Sequence, residues 1–138
     1  MKTYAVIDTN VLVSSLLTKR QDSPTSRVID AVASGDIVPL YSDEILSEYE
    51  EVLRRPKFPF STKAVRGLIN MVRELGIRVE PSPTGEVLPD MDDLVFYEVV
   101  MERRDDGAYL VTGNLRHFPK RSYIVTPAEM MEIVDAQA

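Results

Sequence analysis

The sequence predicts a three-layer α/β/α domain, in which a mostly parallel sheet lies between two layers of helices. Short apolar segments rich in β-branched residues alternate with segments whose apolar residues recur at helical spacing. Strands that alternate with helices across short turns usually pair in parallel and are covered on both faces. With 138 residues and a hydrophobic content of 44%, residues 1-138 fit one domain with its own core.

Serine and glycine mark the ends of the predicted elements in the first part of the chain. Ser23 precedes a proline and starts a helix, and Gly35 ends it. Ser42 and Ser61 start two further helices, and Gly76 ends the second of these. The predicted elements are strand 2–7, helix 10–17, helix 24–34, strand 37–41, helix 43–53, helix 62–75 and strand 77–79.

The second part of the chain begins with a loop, residues 80–89, which contains three prolines and one glycine. A helix follows from about Asp92, and strands are predicted at 108–112 and 123–125. The sequence Thr126-Pro127-Ala128-Glu129 is a capping box with proline in the first turn, which predicts a terminal helix.

The numbers of cysteine and histidine residues limit the kinds of catalytic and metal-binding site that the chain can form. The chain has no cysteine and a single histidine, His117, so disulfides, thiolate zinc sites, cysteine nucleophiles and histidine-based metal sites are excluded. A bound metal ion must therefore be held by oxygen atoms. No segment approaches the length of a membrane span, and we expect a cytoplasmic protein.

The net charge of -6 argues against a basic surface that binds nucleic acid over its whole extent, but it leaves room for local contact. Arg54, Arg55 and Arg116 lie in short basic clusters near element ends. They are candidates for contacts with a phosphate backbone, although a solvated charged surface is the commoner explanation of any such cluster.

Polar residues follow the first predicted strand directly. Asp8, Thr9 and Asn10 come after a mostly apolar segment, at the carboxyl end of the strand. Ligands of open parallel sheets gather at this edge, so Asp8 is a candidate metal ligand. All three residue types also cap helices well, and position alone does not decide between the two roles.

Further acids fall on the helices. In helix 43–53, Glu48 and Glu50 lie on the two flanks of the apolar stripe, and periodicity does not choose between them. Asp90, Asp92 and Asp93 crowd the start of the next helix, where capping and the helix dipole favour acids. Asp93 is the best placed to point inward, because it precedes Phe96 by three positions, and Asp92 is its rival.

The predicted strand 108–112 also ends in polar residues, Thr112 and Asn114, although a Gly-Asn turn would account for them as well. A doubly wound sheet would bring Asp8, one glutamate, Asp93 and this strand end to one edge. Mg²⁺ and Mn²⁺ prefer oxygen ligands of this kind, and acids so close together would repel one another without a cation.

The residues resemble those of the PIN domain, and within it the branch described as toxin components of bacterial or archaeal toxin–antitoxin pairs. The resemblance covers nearly the whole chain, through VIDTNVLVSSL, SDEILSEYEEVLRRPKF, DMDDLVFYEVV, YLVTGNLRHFP and VTPAEM. It implies a metal-dependent ribonuclease whose central parallel sheet has the strand order 3-2-1-4-5. It also implies an RNA substrate, a cognate antitoxin as partner and a homodimer.

Carried over by position, the resemblance assigns the family's acids to Asp8, Glu48 and Asp93 as metal ligands, and so chooses Glu48 over Glu50. Many family members have a fourth acid where this chain has Asn114, which supplies an oxygen but no charge. Thr112 and Asn10 match positions that form hydrogen bonds around the acids, and Thr9 and Asp92 lie beside the site.

The resemblance implies that Asp8 and Asp93 bind Mg²⁺ or Mn²⁺ directly, while Glu48 and Asn114 hold water or a second ion. His117 has a weaker claim to a role, since packing beside Phe118 also explains it. Two other functions compete with a nuclease. One is a PIN-fold binding module without activity, and the other is a phosphatase with Asp8 as nucleophile, which usually has a second acid where this chain has Asn10.

Overall fold

The computed structural model describes residues 2–137 and contains a five-stranded parallel sheet in the order β3-β2-β1-β4-β5. The predicted fold class and the strand order implied by the resemblance are both confirmed. The strands are β1 (Thr3–Ile7), β2 (Ile37–Tyr41), β3 (Ile77–Arg78), β4 (Tyr109–Val111) and β5 (Ile124–Val125).

Helices flank the sheet. They are α1 (Thr9–Leu17), α2 (Pro24–Ser34), α3 (Asp43–Leu53), α4 (Thr62–Leu75), α5 (Leu94–Glu102) and α6 (Pro127–Ala136). Three short 3-10 turns cover Met91–Asp93, Arg104–Asp106 and Leu115–His117. Among residues 2–137, no helix is both long and apolar enough to cross a membrane.

Strand register decides which residues meet at the carboxyl edge of the sheet. In the pairing of the central strand β1 with β4, Ile7 lies beside Val111. The backbone N–H of Asp8 extends this pairing by donating to the carbonyl of Val111 at 2.9 Å. Asp8 and Thr112, each the first residue beyond its strand, therefore lie side by side.

The observed boundaries of the helices and strands agree closely with those predicted from the sequence, and the small differences lie at the element ends. The predicted strand 77–79 is two residues long, although Val79 still donates to the carbonyl of Tyr41 at 2.7 Å. The predicted strand 108–112 narrows to β4, and the segment at Asp92 begins as a 3-10 turn before α5. Strand ends depend on pairing partners, which sequence periodicity does not register.

The four helix starts predicted from a capping serine or threonine are confirmed. The side chains of Ser23, Ser42, Ser61 and Thr126 each accept a hydrogen bond from the backbone N–H three residues on, at 3.1–3.3 Å. Glu129 completes the capping box by accepting from the N–H of Thr126 at 2.9 Å. These contacts satisfy donors that helix geometry leaves without partners.

The core lies between the sheet and its helices. Met130 and Met131 of α6 belong to it, so these two residues are core rather than interface. Gly76 ends α4 as predicted but with extended backbone, φ -98° and ψ -175°. It must be glycine for another reason, because a Cβ there would collide with the carbonyl oxygen of Pro39 in β2.

Candidate active site

Asp8 occupies the N-cap position of α1 but does not cap the helix. Its side chain makes no capping hydrogen bond. Instead, its Oδ2 accepts a hydrogen bond from the Thr112 hydroxyl at 2.7 Å and a longer one from the Asn10 amide at 3.4 Å. Asp8 is only 5% exposed. The cap explanation of this carboxylate, left open by the sequence, is therefore wrong.

Burial makes ionisation of Asp8 unfavourable. The pKa of its carboxyl is raised from 3.8 to about 6, chiefly because burial removes the charged form from water. The hydrogen bond from Thr112 opposes this rise, and the negative charge of Asp93 adds to it. Asp93 is thus near enough to Asp8 for the two charges to repel each other.

A polar network fixes the edge of the sheet around Asp8. Thr112 is fully buried, and its hydroxyl oxygen accepts from the backbone N–H of Asn114 at 3.0 Å while donating to Asp8. Asn10 accepts from the N–H of Gly113 at 3.2 Å through its side-chain oxygen. The turn after β1 and the turn after β4 are therefore tied together through side chains.

Glu48 reaches the same edge from α3. Its Oε2 accepts a hydrogen bond from the hydroxyl of Thr9, the first residue of α1, at 2.5 Å. The pKa of its carboxyl is raised by partial burial and by the charges of Asp8 and Asp93. Glu50, its rival in the sequence, is exposed and pairs with Arg54, the residue that follows α3, at 3.2 Å. Of the two glutamates, the structure brings Glu48 to the acids.

Tyr49 holds α3 against the end of β1. Its side chain is 1% exposed, and its hydroxyl donates to the carbonyl of Ile7 at 2.5 Å. Ile7 is the residue before Asp8, so this contact sets the position of the helix that carries Glu48. The sequence pattern alone assigns no partner to the Tyr49 hydroxyl. A buried hydroxyl needs one, and that requirement was the available signal.

Asp93 lies at the junction between the 3-10 turn and α5, and it makes no capping hydrogen bond either. Its side chain is 15% exposed, and its Oδ2 lies 3.0 Å from Nδ1 of His117. The pKa of Asp93 is raised by burial, while the contact with His117 lowers it. The sequence explained His117 by packing beside Phe118, and the structure adds a polar contact with Asp93.

The remaining predicted residues lie further out. Asp92 is exposed, and its backbone N–H is capped by Asp90 at 3.0 Å. Asn114 is exposed, and its backbone, not its side chain, joins the network at Thr112. Arg54 and Arg55 are exposed and pair with glutamates in the last turn of α3, which they follow, whereas Arg116 lies on the turn after β4.

Pockets open on two sides of the acids. One of about 200 Å³ is lined by uncharged residues that include Asn10, Ser14 and Asn114. The other, of about 340 Å³, is lined by Glu48, by further acids and by apolar residues of α3, the 3-10 turn and α5. A larger cavity of about 520 Å³ lies by the end of α1, away from these acids. Its size does not make it the site, since it lacks the buried acids.

The donor atoms suit a hard cation, since the three acids present only oxygen. Each acid is engaged by a neighbouring donor, namely Thr112, Thr9 or His117. Within residues 2–137, no three acidic or histidine side chains already converge closely enough to hold an ion. The chemistry of the donors therefore fits Mg²⁺ or Mn²⁺, while binding would require these side chains to turn.

Together, fold and site define a small α/β domain with acids at the carboxyl edge of its parallel sheet. A family model described as PIN domain matches residues 4–116, and the chain belongs to the PIN domain family. The resemblance to the PIN domain is thus confirmed over these residues. PIN domains are generally nucleases and typically use divalent metals.

A solved structure shares the fold. The crystal structure of PAE2754 from Pyrobaculum aerophilum matches with a TM-score of 0.60 and 15% sequence identity, over 99% of this chain and 91% of that chain. At this identity the similarity concerns the fold alone. No curated protein matches the chain in sequence.

Proposed function

We propose that the chain is an endoribonuclease that hydrolyses RNA phosphodiester bonds with Mg²⁺ or Mn²⁺. The observation that carries this proposal is Asp8. Its carboxylate is 5% exposed, does not cap the helix it precedes, and has a pKa raised to about 6. A buried acid beside other acids lowers stability unless a cation balances its charge. Function is the best explanation for keeping it there.

Asp8, Asp93 and Glu48 would hold the ion. When bound, it would make a water molecule more acidic and stabilise negative charge on the phosphate under attack. Thr112 and Asn10 keep the Asp8 carboxylate in place by donating to its Oδ2. Asn114 would offer an amide oxygen at the rim.

His117 would act as a positioning residue for Asp93. Its Nδ1 lies 3.0 Å from Oδ2 of Asp93, and its ring is 43% exposed, so its removal leaves the core intact. Loss of a side chain that orients a ligand typically lowers metal affinity about 10- to 100-fold. We expect His117→Ala to need correspondingly more Mn²⁺ for half-maximal cleavage, with nearly unchanged activity at saturating Mn²⁺. A purely structural role would instead lower the maximal rate or the melting temperature.

A test of the nuclease incubates the purified chain with labelled RNA in Mg²⁺, Mn²⁺ or EDTA, beside Asp8→Asn and Asp93→Asn. We expect cleavage in both metals, none in EDTA and none by either variant. Asp90→Asn is the matched control, because Asp90 lies in the same acidic segment and its side chain caps the backbone N–H of Asp92, which asparagine also does. Cleavage in the presence of EDTA, or cleavage by both variants, would contradict the proposal.

The cellular role we propose is that of a cytoplasmic toxin with a cognate antitoxin, acting as a homodimer. PIN-domain nucleases often pair with antitoxins, and two-fold dimers are the commonest closed assemblies. Expression that arrests growth, relieved by Asp8→Asn, is the expected result, and light scattering measures the dimer. If expression of an active nuclease leaves growth unaffected, the toxin role is wrong and the nuclease function stands.

The alternative is a binding module, favoured by the exposed amide of Asn114 at a place where many family members have an acid. It predicts no cleavage and no rise in melting temperature with Mn²⁺. No such observation favours the aspartate phosphatase. Asn10 stands where such a phosphatase usually has its second acid, and its side chain donates to Asp8 and accepts from the N–H of Gly113. A phosphorylated Asp8 would be its evidence.

A further inference from the structure

A further pocket, chemically different from those described above, lies between the turn after β4 and the edge strand β5. It measures about 320 Å³, and its apolar side chains are Leu115, Phe118, Pro119 and Ile124. This volume is at the lower end of the range for small-molecule pockets. Leu115 is 42% exposed, so apolar surface remains open to a ligand.

Three cations line the same pocket, namely Arg116, Lys120 and Arg121. All three are exposed, and within residues 2–137 none of them forms an ion pair. This contrasts with Arg54 and Arg55, which pair with Glu50 and Glu51 of the preceding helix α3. In a chain of net charge -6, these three cations around an apolar pocket form a local positive surface.

The pocket is continuous with the acids through a single turn, Leu115–His117. One end of this turn follows Asn114, whose backbone donates to Thr112, the residue bonded to Asp8. At its other end, His117 contacts Asp93 at 3.0 Å. Leu115 and Arg116, from the same turn, line the pocket. The same turn therefore both contacts the residues around the acids and lines the pocket.

We propose that this pocket is a nucleotide-binding subsite that seats one unstacked base of a single-stranded RNA next to the phosphate held at the acids. The proposal rests on the proposed nuclease function and adds that the pocket binds a base of the RNA substrate. Unpaired bases bind to apolar side chains and arginine planes, and Lys and Arg neutralise the adjoining phosphates. An acidic peptide of a partner protein would suit the charges too, but the continuity with the acids favours RNA.

The first experiment reverses charge at the pocket and at a matched surface. Lys120→Glu/Arg121→Glu is compared with Lys63→Glu/Arg66→Glu, an exposed Lys/Arg pair on α4 with the same change in net charge. Binding of a short fluorescein-labelled single-stranded RNA is measured by anisotropy in EDTA, so that cleavage does not interfere. We expect the pocket variant to bind about tenfold more weakly, with a salt dependence shallower by about 0.7 for each phosphate that it no longer neutralises. The α4 variant should bind like the unaltered chain.

The second experiment tests whether a base occupies the pocket. Leu115→Ser is compared with Leu75→Ser, a leucine of similar exposure, 42% against 48%, at the end of α4. We expect only Leu115→Ser to weaken binding, by a few-fold, with an unchanged salt dependence because no charge is removed. The difference should disappear on an RNA of the same length made of abasic nucleotides.

These results separate the subsite from the nuclease. If both charge variants bind RNA equally, or if Leu115→Ser has no effect, the subsite is overturned, and an acidic peptide becomes the better occupant. Metal-dependent cleavage by the unaltered chain would leave the nuclease standing in that case. Conversely, selective loss of RNA binding in the pocket variants would uphold the subsite even if the chain cleaves no RNA.

Discussion

The helix N-termini of this domain fall into two groups. At α2, α3, α4 and α6, a serine or threonine side chain accepts a hydrogen bond from the helix backbone. At α1 and α5 the same position holds Asp8 and Asp93, which also cap well in general, yet neither makes a capping bond. Both carboxylates contact distant residues instead, Thr112 and His117. The two groups therefore differ in what the side chain at the cap position contacts: a residue of a distant segment at α1 and α5, and the helix backbone at the other four helices.

The largest expected effect is a change in the free energy of unfolding that has opposite signs in the two groups of helix N-termini. Asp8→Asn should raise the free energy of unfolding of the metal-free protein at pH 7 by up to about 3 kcal/mol, from the rise of the Asp8 pKa from 3.8 to about 6. Asparagine keeps an oxygen for Thr112 and carries no charge to bury. Denaturant unfolding in EDTA measures this gain.

The gain must also depend on pH in one direction. Between pH 4 and 6 the folded state retains a proton on Asp8 that the unfolded state has lost, so the stability of the unaltered chain falls as pH rises through this window. The advantage of Asp8→Asn should therefore be near zero at pH 4 and complete above pH 6. Saturating Mn²⁺ should reverse the order of the two proteins. A gain that is equal at pH 4 and pH 7 would contradict this account of Asp8.

The next effect concerns Tyr49, which fixes the helix that carries Glu48. Tyr49→Phe removes the donor to the buried carbonyl of Ile7 and should lower stability by about 1–2 kcal/mol. Because α3 would loosen at the site, RNA cleavage should fall as well. Tyr41→Phe is the control, since the Tyr41 hydroxyl makes a longer bond of 3.3 Å to Arg73. It should change stability less and leave cleavage intact.

Removing a true cap should have a smaller and opposite effect to Asp8→Asn. Ser42→Ala and Thr126→Ala each leave a helix donor without its partner and should lower stability by about 1 kcal/mol. No titrating charge is removed, so the change should be the same at pH 4 and pH 7. Thermal unfolding at pH 4 and pH 7 measures this change in stability. If Ser42→Ala were more stable than the unaltered chain, the distinction between the two groups of helix N-termini would not hold.

The smallest effect is expected at Asp90, the acid that does cap. Asp90→Ala should lower stability by about 0.5 kcal/mol, because its cap serves a single exposed turn. RNA cleavage should not change. A loss of cleavage comparable with that of Asp93→Asn would mean that the acidic segment acts as a whole, and that Asp93 holds no special place in it.

Prediction from the sequence succeeded where interactions are local. Caps and glycine stops act within one turn of a helix, so the helices were placed nearly to the residue. Glu48 and Glu50 show the limit. They lie two positions apart on the flanks of one stripe, and only the approach of Thr9 from another helix distinguishes them. Within the sequence, the resemblance to PIN domains made that choice, and periodicity did not.

The sequence by itself determined the α/β class, the helix starts and the presence of acids at strand and helix ends. Periodicity and capping determine these features over a few residues. Tertiary structure alone decided that Asp8 bonds to Thr112 across 104 positions, that His117 reaches Asp93, and that three cations surround one apolar pocket. Those contacts depend on strand register and on loop closure between distant segments, whose free energy no local pattern records.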